Sequence, residues 1–271
     1  MRFLSKRRRH PLAGLAVLAL SLALSGGLYA LFAPTSSADT ASTDLVTKGR
    51  QLFLVGCASC HGKNAEGVLT ANGNQLGPPL IGVGAASVDF QVGTGRMPMA
   101  RPDTQAPQKP PQYDEEQIRA LAAYVASLGP GPAIPRPGDY DISNVTEEQL
   151  VQGGEYFRTN CTACHNFAGA GGALPDGRYA PSLRGVEPKY FVEAMLTGPQ
   201  QMPVFSDEVL SPQAKREIIA YVQHLHEQPN YGGVGGGSLG PVGEGMFGWV
   251  VGIGGLVLAC VWIAAKGVKA Q

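Results

Sequence analysis

Cysteine and histidine stand together twice in this 271-residue chain, as Cys57-Ala58-Ser59-Cys60-His61 and as Cys161-Thr162-Ala163-Cys164-His165. In each run the two thiols lie about one helical turn apart, a spacing at which both can add across the vinyl groups of a haem macrocycle. The adjacent histidine then lies under the iron as its proximal ligand. A lone C-x-x-C would equally suit a zinc site or a redox-active cysteine pair. Two C-x-x-C-H runs, each with a methionine downstream, point instead to two covalently bound haem c groups. Cys260 stands alone in an apolar stretch and reads as a small filler side chain.

The elements that must position these residues come as a repeat. Gly49-x-x-x-Phe53-x-x-x-Cys57 and Gly153-x-x-x-Phe157-x-x-x-Cys161 share the i, i+4, i+8 spacing of one helical face leading into the haem motif. Pro78-Pro79-Leu80-Ile81-Gly82-Val83 corresponds to Pro181-Ser182-Leu183-Arg184-Gly185-Val186. Met97-Pro98 and Met202-Pro203 follow the first cysteine of their motifs by 40 and 41 residues. Ala123-Tyr124-Val125 and Ala220-Tyr221-Val222 mark a closing helix, which Asp114-Glu115-Glu116-Gln117 opens in the first copy. From methionine to tyrosine the first copy spans 27 residues and the second 19, the excess being a loop with Pro102, Pro107, Pro110 and Pro111. A tandem duplication accounts for all of these matches.

His61 and His165 take the proximal positions. A methionine in the sixth position would raise the reduction potential and close the iron to substrates. In the second copy Met202 is favoured, because Met195 falls in an apolar helical pattern with Phe191, Val192, Ala194 and Leu196. In the first, Met97 aligns with Met202 and precedes a proline, which favours it over Met99. The carbonyls of Pro78 and Pro181 are candidates for orienting the proximal rings through their other nitrogen, although plain loop roles suit them as well. Arg96, Arg101, Arg178 and Arg184 lie in the haem-wrapping loops, as partners for propionates or as solvated side chains. His224 and His226, two apart on the last helix of the second copy, read as surface residues. No Ser/His/Asp set, phosphate-cradling glycine loop or carboxylate cluster stands out.

Pro11 to Ala33 is a run of 23 uncharged residues preceded by Arg2, Lys6, Arg7, Arg8 and Arg9. That exceeds the apolar core of a secretory signal, about 7–15 residues, and meets the roughly 20 needed to cross a bilayer. Length favours a retained anchor, whereas Gly26-Gly27 divides the run and Ser36-Ser37-Ala38 suits cleavage. Met246 to Ala265 is a second uncharged run, 20 residues long, with Trp249 and Trp262 near its ends and Lys266 and Lys269 beyond. Basic residues outside both runs predict cytoplasmic termini and an extracytoplasmic middle. Between the runs 14 Lys and Arg face 21 acidic residues, a net of −7 that gives no support to a nucleic-acid partner.

The expected organisation is a basic N-terminus and hydrophobic segment over 1–33, a tether over 34–44 and a first haem module over 45–129. A stiff Pro-rich linker over 130–145 leads to a second module over 146–227, then a flexible Gly-rich linker over 228–245 and a transmembrane helix over 246–265. Modules of about 80–85 residues are too small for a generous apolar core, so haem is expected to supply much of it.

Each half resembles class I cytochrome c: a leading helix with Gly and Phe, C-x-x-C-H, a Pro loop, Met-Pro, and a closing helix with an aromatic residue. The implied fold is mostly α, two tandem class I cytochrome c-like domains with N- and C-terminal transmembrane helices. Taken whole, the chain resembles the dihaem cytochrome c subunit of actinobacterial-type menaquinol–cytochrome c reductase, the cytochrome bcc complex. That resemblance implies an electron-transfer subunit of a quinol–cytochrome-c reductase in the cell membrane, with no substrate chemistry of its own. It implies cytochrome b and Rieske iron–sulfur subunits as partners and a terminal haem-copper oxidase as acceptor. The haem motifs are specific for the module, while the arrangement of modules and anchors carries the narrower resemblance. Two other readings compete. A dihaem subunit of another oxidase or of a periplasmic dehydrogenase commonly has an N-terminal anchor alone. A haem peroxidase or thiosulfate-oxidising enzyme needs an open or displaceable sixth position.

Overall fold

The computed structural model describes residues 13–32, 40–228 and 241–267. Helix α1, Ala13–Phe32, runs unbroken through Gly26 and Gly27. Ser21 and Ser25 turn their hydroxyls back onto Leu18 O at 2.9 Å and Ser21 O at 2.7 Å. These bonds satisfy both hydroxyls within the helix, as an apolar surrounding demands.

The first module opens on α2, Thr40–Gly56. Its first five residues fall inside the expected tether over 34–44, and the remainder of that tether, 34–39, lies outside the described residues. No Gly or Pro between Thr40 and Leu45 interrupts the helix. One turn, α3 (Ala58–His61), carries the haem motif, and a hairpin of β1 (Val68–Leu69) with β2 (Gln75–Gly77) follows. Helices α4 (Gly84–Gly93) and α5 (Glu115–Ala126) complete the module. Asp114 caps α5 reciprocally: its carboxylate accepts from Gln117 N at 2.8 Å, and its own N–H donates to Gln117 Oε1 at 3.1 Å.

After a short α6 (Pro137–Tyr140), the second module repeats this order. It has α7 (Glu147–Asn160), α8 (Thr162–His165), a hairpin of β3 (Gly172–Ala173) with β4 (Tyr179–Ala180), α9 (Pro188–Thr197) and α10 (Pro212–Glu227). In both modules the leading helix crosses the closing one at the glycine of the Gly/Phe pattern. A Cβ on Gly49 would overlap Ala120 O, and one on Gly153 would overlap Glu217 O. One turn further, Phe53 packs on Tyr124 with ring centroids 5.2 Å apart, and Phe157 on Tyr221 at 5.7 Å. The i, i+4 pattern is thus a crossing point followed by an aromatic anchor. Phe53 and Phe157, 1% and 0% exposed, are the largest fully buried side chains among the described residues.

The Pro-rich linker, expected to be stiff, packs along its length. Ala86 N donates to Pro132 O at 3.1 Å, and Ile134 joins the first core. Gly84, at φ +79°, leaves room for Pro132, which any Cβ there would overlap. Tyr140 and Ile142 then pack against the second core. Prolines that stiffen the chain also carry apolar rings, and here the segment lies down on both modules instead of spanning water.

The modules meet through their equivalent helices, α4 and α9. Lys189 Nζ lies 2.6 Å from Asp89 Oδ2, and Phe90 meets Tyr190 edge-on at 6.2 Å between centroids. Glu193 is completely buried beside them. As an acceptor only, its carboxyl would have no partner for either oxygen. Burial, then the hydrogen bond and charge of Asp89, push that carboxyl up to about 9, so at neutral pH it is protonated and donates to Asp89. Nothing in the sequence reading anticipated this cluster.

At the C-terminal end, α11 (Pro241–Phe247), a wider π turn (Gly248–Ile253) and α12 (Gly254–Gly267) follow one another without a break. Pro241–Gly245, expected as linker, are therefore helical, while 229–240 lie outside the described residues. The apolar stretch Gly243–Lys266 has 24 residues and no burial against the rest of the protein. At ~1.5 Å per residue it reaches about 35 Å, enough for the ~30 Å hydrocarbon core of a bilayer. Lys266 Nζ sits 4.3 Å from the Trp262 ring centre, a cation beside an aromatic at the helix end.

Candidate functional site

Each haem motif hangs from the end of its leading helix. Cys57 N donates to Phe53 O at 2.8 Å and Cys161 N to Phe157 O at 2.9 Å, so each motif inherits the helix's direction. His61 N and His165 N bond back to the first cysteine's carbonyl at 3.0 and 2.9 Å, closing one turn. The chain then reverses at Gly62 (φ +82°) and Asn166 (φ +69°). Leu80 N donates to Ala65 O and Leu183 N to Gly169 O, both at 2.8 Å, which brings the proline loop under the histidine. Gly77 is pressed against the Cys60 carbonyl, so closely that a side chain there would collide with it.

The result is the same contact twice. His61 Nδ1 donates to Pro78 O at 2.8 Å, and His165 Nδ1 donates to Pro181 O at 2.9 Å. A carbonyl can only accept, so Nδ1 carries the proton and Nε2 keeps its lone pair for a metal. Burial also holds the His165 pKa down against the Pro181 hydrogen bond, which keeps the ring neutral.

The competing chemistries fit poorly. A redox-active C-x-x-C needs a depressed thiol pKa. Here burial and then the second cysteine push Cys57 and Cys161 up to about 11. Among the described residues no three His, Cys, Asp or Glu side chains converge as a zinc site requires.

At the second module's haem motif lies a partly open cavity of about 550 Å³ bordered by Cys161, Cys164, His165, Met195 and Met202, with Phe157, Phe191 and Ile218 among its apolar walls. Thiols, a lone-pair nitrogen and a thioether around one apolar space are the donor set haem c requires, and the size suits a large planar cofactor. Met195 belongs to the buried core at 3% exposure, while Met202 packs against that core from the loop. In the first module Met97 packs against the core as Met202 does in the second, and Met99 does not take part.

The other sequence candidates divide. His226 is a correction: half-buried, its ring Nε2 donates to Ala168 O at 2.8 Å, tying the last helix to the loop after the haem motif. His224 is exposed. Arg101 is exposed, and Arg178 Nε donates to Thr104 O at 3.2 Å. Arg96 and Arg184 both line the second module's cavity, although Arg96 belongs to the first. The loop containing Arg96 crosses because Gln105 pairs with the backbone of Tyr179. Its Nε2 donates to Tyr179 O at 2.8 Å, and Tyr179 N donates to its Oε1 at 2.9 Å. The composition of the Pro-rich loop carried no signal of this reach.

Comparison with known proteins agrees with the duplication. Residues 46–129 match the family described as cytochrome c, and residues 148–222 match the family described as cytochrome c oxidase, cbb3-type, subunit III. The cytochrome bc1 complex cytochrome c subunit of Mycobacterium tuberculosis (strain H37Rv) is 45% identical over 266 residues, covering 96% of this chain and 93% of that protein. The subunit of the same name from Corynebacterium diphtheriae is 42% identical over 275 residues, covering 96% of both chains. The cbb3-type cytochrome c oxidase subunit CcoP of Rhodobacter capsulatus is 39% identical over 90 residues, covering 31% of this chain and 30% of that protein.

Proposed function

Because the chain belongs to the family of cytochrome bc1 complex cytochrome c subunits, we propose that it is the tethered dihaem electron carrier of a menaquinol-oxidising complex of that kind. It works beside cytochrome b, takes electrons from the Rieske iron–sulfur centre and delivers them to a terminal haem-copper oxidase. One observation carries the reading: an oriented histidine site recurs in two packed modules, at 2.8 and 2.9 Å from its proline, on a chain with a 24-residue apolar helix. A diffusing carrier needs no such helix, whereas a relay held beside donor and acceptor gains effective concentration. The partial match to an oxidase subunit involves under a third of the chain and speaks for the module more than for the complex.

We assign covalent attachment of two haem c groups to Cys57, Cys60, Cys161 and Cys164, and iron ligation to His61 with Met97 and His165 with Met202. Haem, when bound, supplies one-electron exchange. Pro78 and Pro181 hold each ring in the tautomer that presents Nε2, Met97 and Met202 would supply the second protein ligand to each iron, and the apolar walls of the second module's cavity would keep water from it. A His/Met donor set of this kind would suit electron transfer better than chemistry on peroxide or thiosulfate, which needs an open or displaceable position. In the oxidised protein Met97→Leu is expected to remove the first module's share of the near-infrared Met-to-iron band, with Met99→Leu leaving it intact. The reverse pattern transfers the role to Met99.

Basic residues beyond both apolar segments support a multi-pass topology, with the haem modules on the extracytoplasmic side of the cell membrane and α1 retained as an anchor. Deleting residues 246–271 is expected to leave both haem spectra intact while detaching the subunit. Quinol-dependent oxygen uptake by membranes should then collapse at least about tenfold, as the relay loses the effective concentration its tether provides. A truncated protein that still assembles and supports full uptake would remove the tether from the mechanism.

A further inference from the structure

Beside the haem cavity of the second module lies a smaller chamber of about 250 Å³. Arg96, Gln105, Gln108, Tyr179, Ser182 and Arg184 line the chamber and also border the haem cavity, so the two spaces are neighbours that share these walls. The chamber's lining holds two guanidinium groups and no acidic residue. Among the described residues neither Arg96 nor Arg184 forms an ion pair.

Arg96 is half-buried, and its guanidinium lies 4.8 Å from the centre of the Phe90 ring, which gives the charge a soft face but no counter-ion. A half-buried charge without a counter-ion is held at a cost that a nearby anion would offset. Its backbone is closely held as well. Lys109 Nζ donates to Gly95 O at 2.6 Å and to Arg96 O at 3.1 Å. Gly95, at φ +70°, is pressed onto the Lys109 carbonyl with no space for a Cβ. Beyond Arg96, the Gln105–Tyr179 pairing and the Arg178–Thr104 bond fasten the loop to the second module. That loop contains the eight-residue excess by which the first module departs from the second.

We propose that this chamber receives the carboxylate edge of the second module's haem and that the first module supplies half of it, through Arg96, Gln105 and Gln108. The inference rests on haem being bound at Cys161, Cys164 and His165. Paired guanidiniums with amide and hydroxyl donors are the recognition set for carboxylates, and the chamber adjoins the space that a haem on those residues must fill. The Pro-rich insertion thereby gains a role: it completes a binding site in the neighbouring module. Arg96 also precedes Met97 directly, so one loop carries an iron ligand of the first haem and a charge partner of the second.

An arginine beside a haem carboxylate offsets the negative charge that would favour the oxidised iron. In the full-length, detergent-purified protein, Arg96→Gln should therefore shift one haem's reduction equilibrium about tenfold toward the oxidised state, which is about 59 mV for one electron. Arg184→Gln should move the same haem in the same direction, and Arg96→Lys should restore most of the shift. Intact mass should show both haems in every variant. Inorganic phosphate titrated into the wild type should leave both potentials in place, because the chamber is already filled. The proposal is overturned if Arg96→Gln moves neither haem, if the two glutamine variants move different haems or Arg184→Gln moves none, or if phosphate produces a saturable shift. Loss of both haems in Arg96→Gln and Arg96→Lys alike would also overturn it, making Arg96 a structural part of its own module. A wild-type mass with fewer than two haems would instead overturn the haem assignment on which it rests.

Discussion

A chain carrying Cys161→Ser and Cys164→Ser is expected to mature with one haem, that of the first module, and to lose the native packing of the second. On the proposed assignment these thiols are the covalent attachment points, so their loss would remove the step that retains the cofactor. The structural consequence should be larger than a missing chromophore. The second core borders a cavity of about 550 Å³. Left without its occupant, that space bares apolar walls to water, and each large apolar side chain that loses its cover gives up about 1.5–3 kcal/mol. A whole domain is stable by only about 5–15 kcal/mol. The walls will relax, so the true cost is lower, but the module has little else to draw on. Intact mass should fall by one haem, and limited proteolysis should open the second module while sparing the first. Two haems in the double variant would remove these cysteines from the attachment role. One haem with an undisturbed, protease-resistant second module would show that its core does not depend on the cofactor.

Gly153→Val should unfold the second module at much lower temperature, and Gly49→Val should do the same to the first. At Gly153 a Cβ would overlap the Glu217 carbonyl, so α7 and α10 cross with backbone against backbone. The added side chain must push α10 away. Phe157 and Ile218, both lining the cavity, then move apart. Overpacking of a core contact costs about 1–3 kcal/mol, and two helices joined at their crossing point have no flexible side chain to yield. For a module of this size about 2 kcal/mol corresponds to roughly 8–16 °C in Tm. Gly138→Ala provides the control, because Gly138 has open space around its Cβ position and should tolerate the change. A Gly153→Val protein melting with the wild type would mean that the helices do not cross there.

The sequence by itself determined the chemistry and its repetition. Two thiols and a histidine within one helical turn act through local spacing, so Cys57, Cys60 and His61 announce haem attachment before any fold is known. The same applies to the Gly/Phe face of the leading helices, whose period reports one buried side, and to the reciprocal cap at Asp114 and Gln117. The apolar run ending at Ala265 was equally legible, since length alone matches it to a bilayer. Tertiary structure decided what each local unit meets. It brought the Pro78 and Pro181 carbonyls onto Nδ1 of the histidines, roles the sequence left equal with plain loop positions. It laid Ile134 and Tyr140 of the Pro-rich linker onto the two cores, turned His226 inward to Ala168 O, and buried Glu193 against Asp89. It also carried the first module's insertion across to the second, where Gln105 pairs with Tyr179, 74 residues away in sequence. No periodicity encodes such a contact. It exists because two copies of one fold pack helix α4 against helix α9, and only that packing brings Arg96 to its neighbour's cavity.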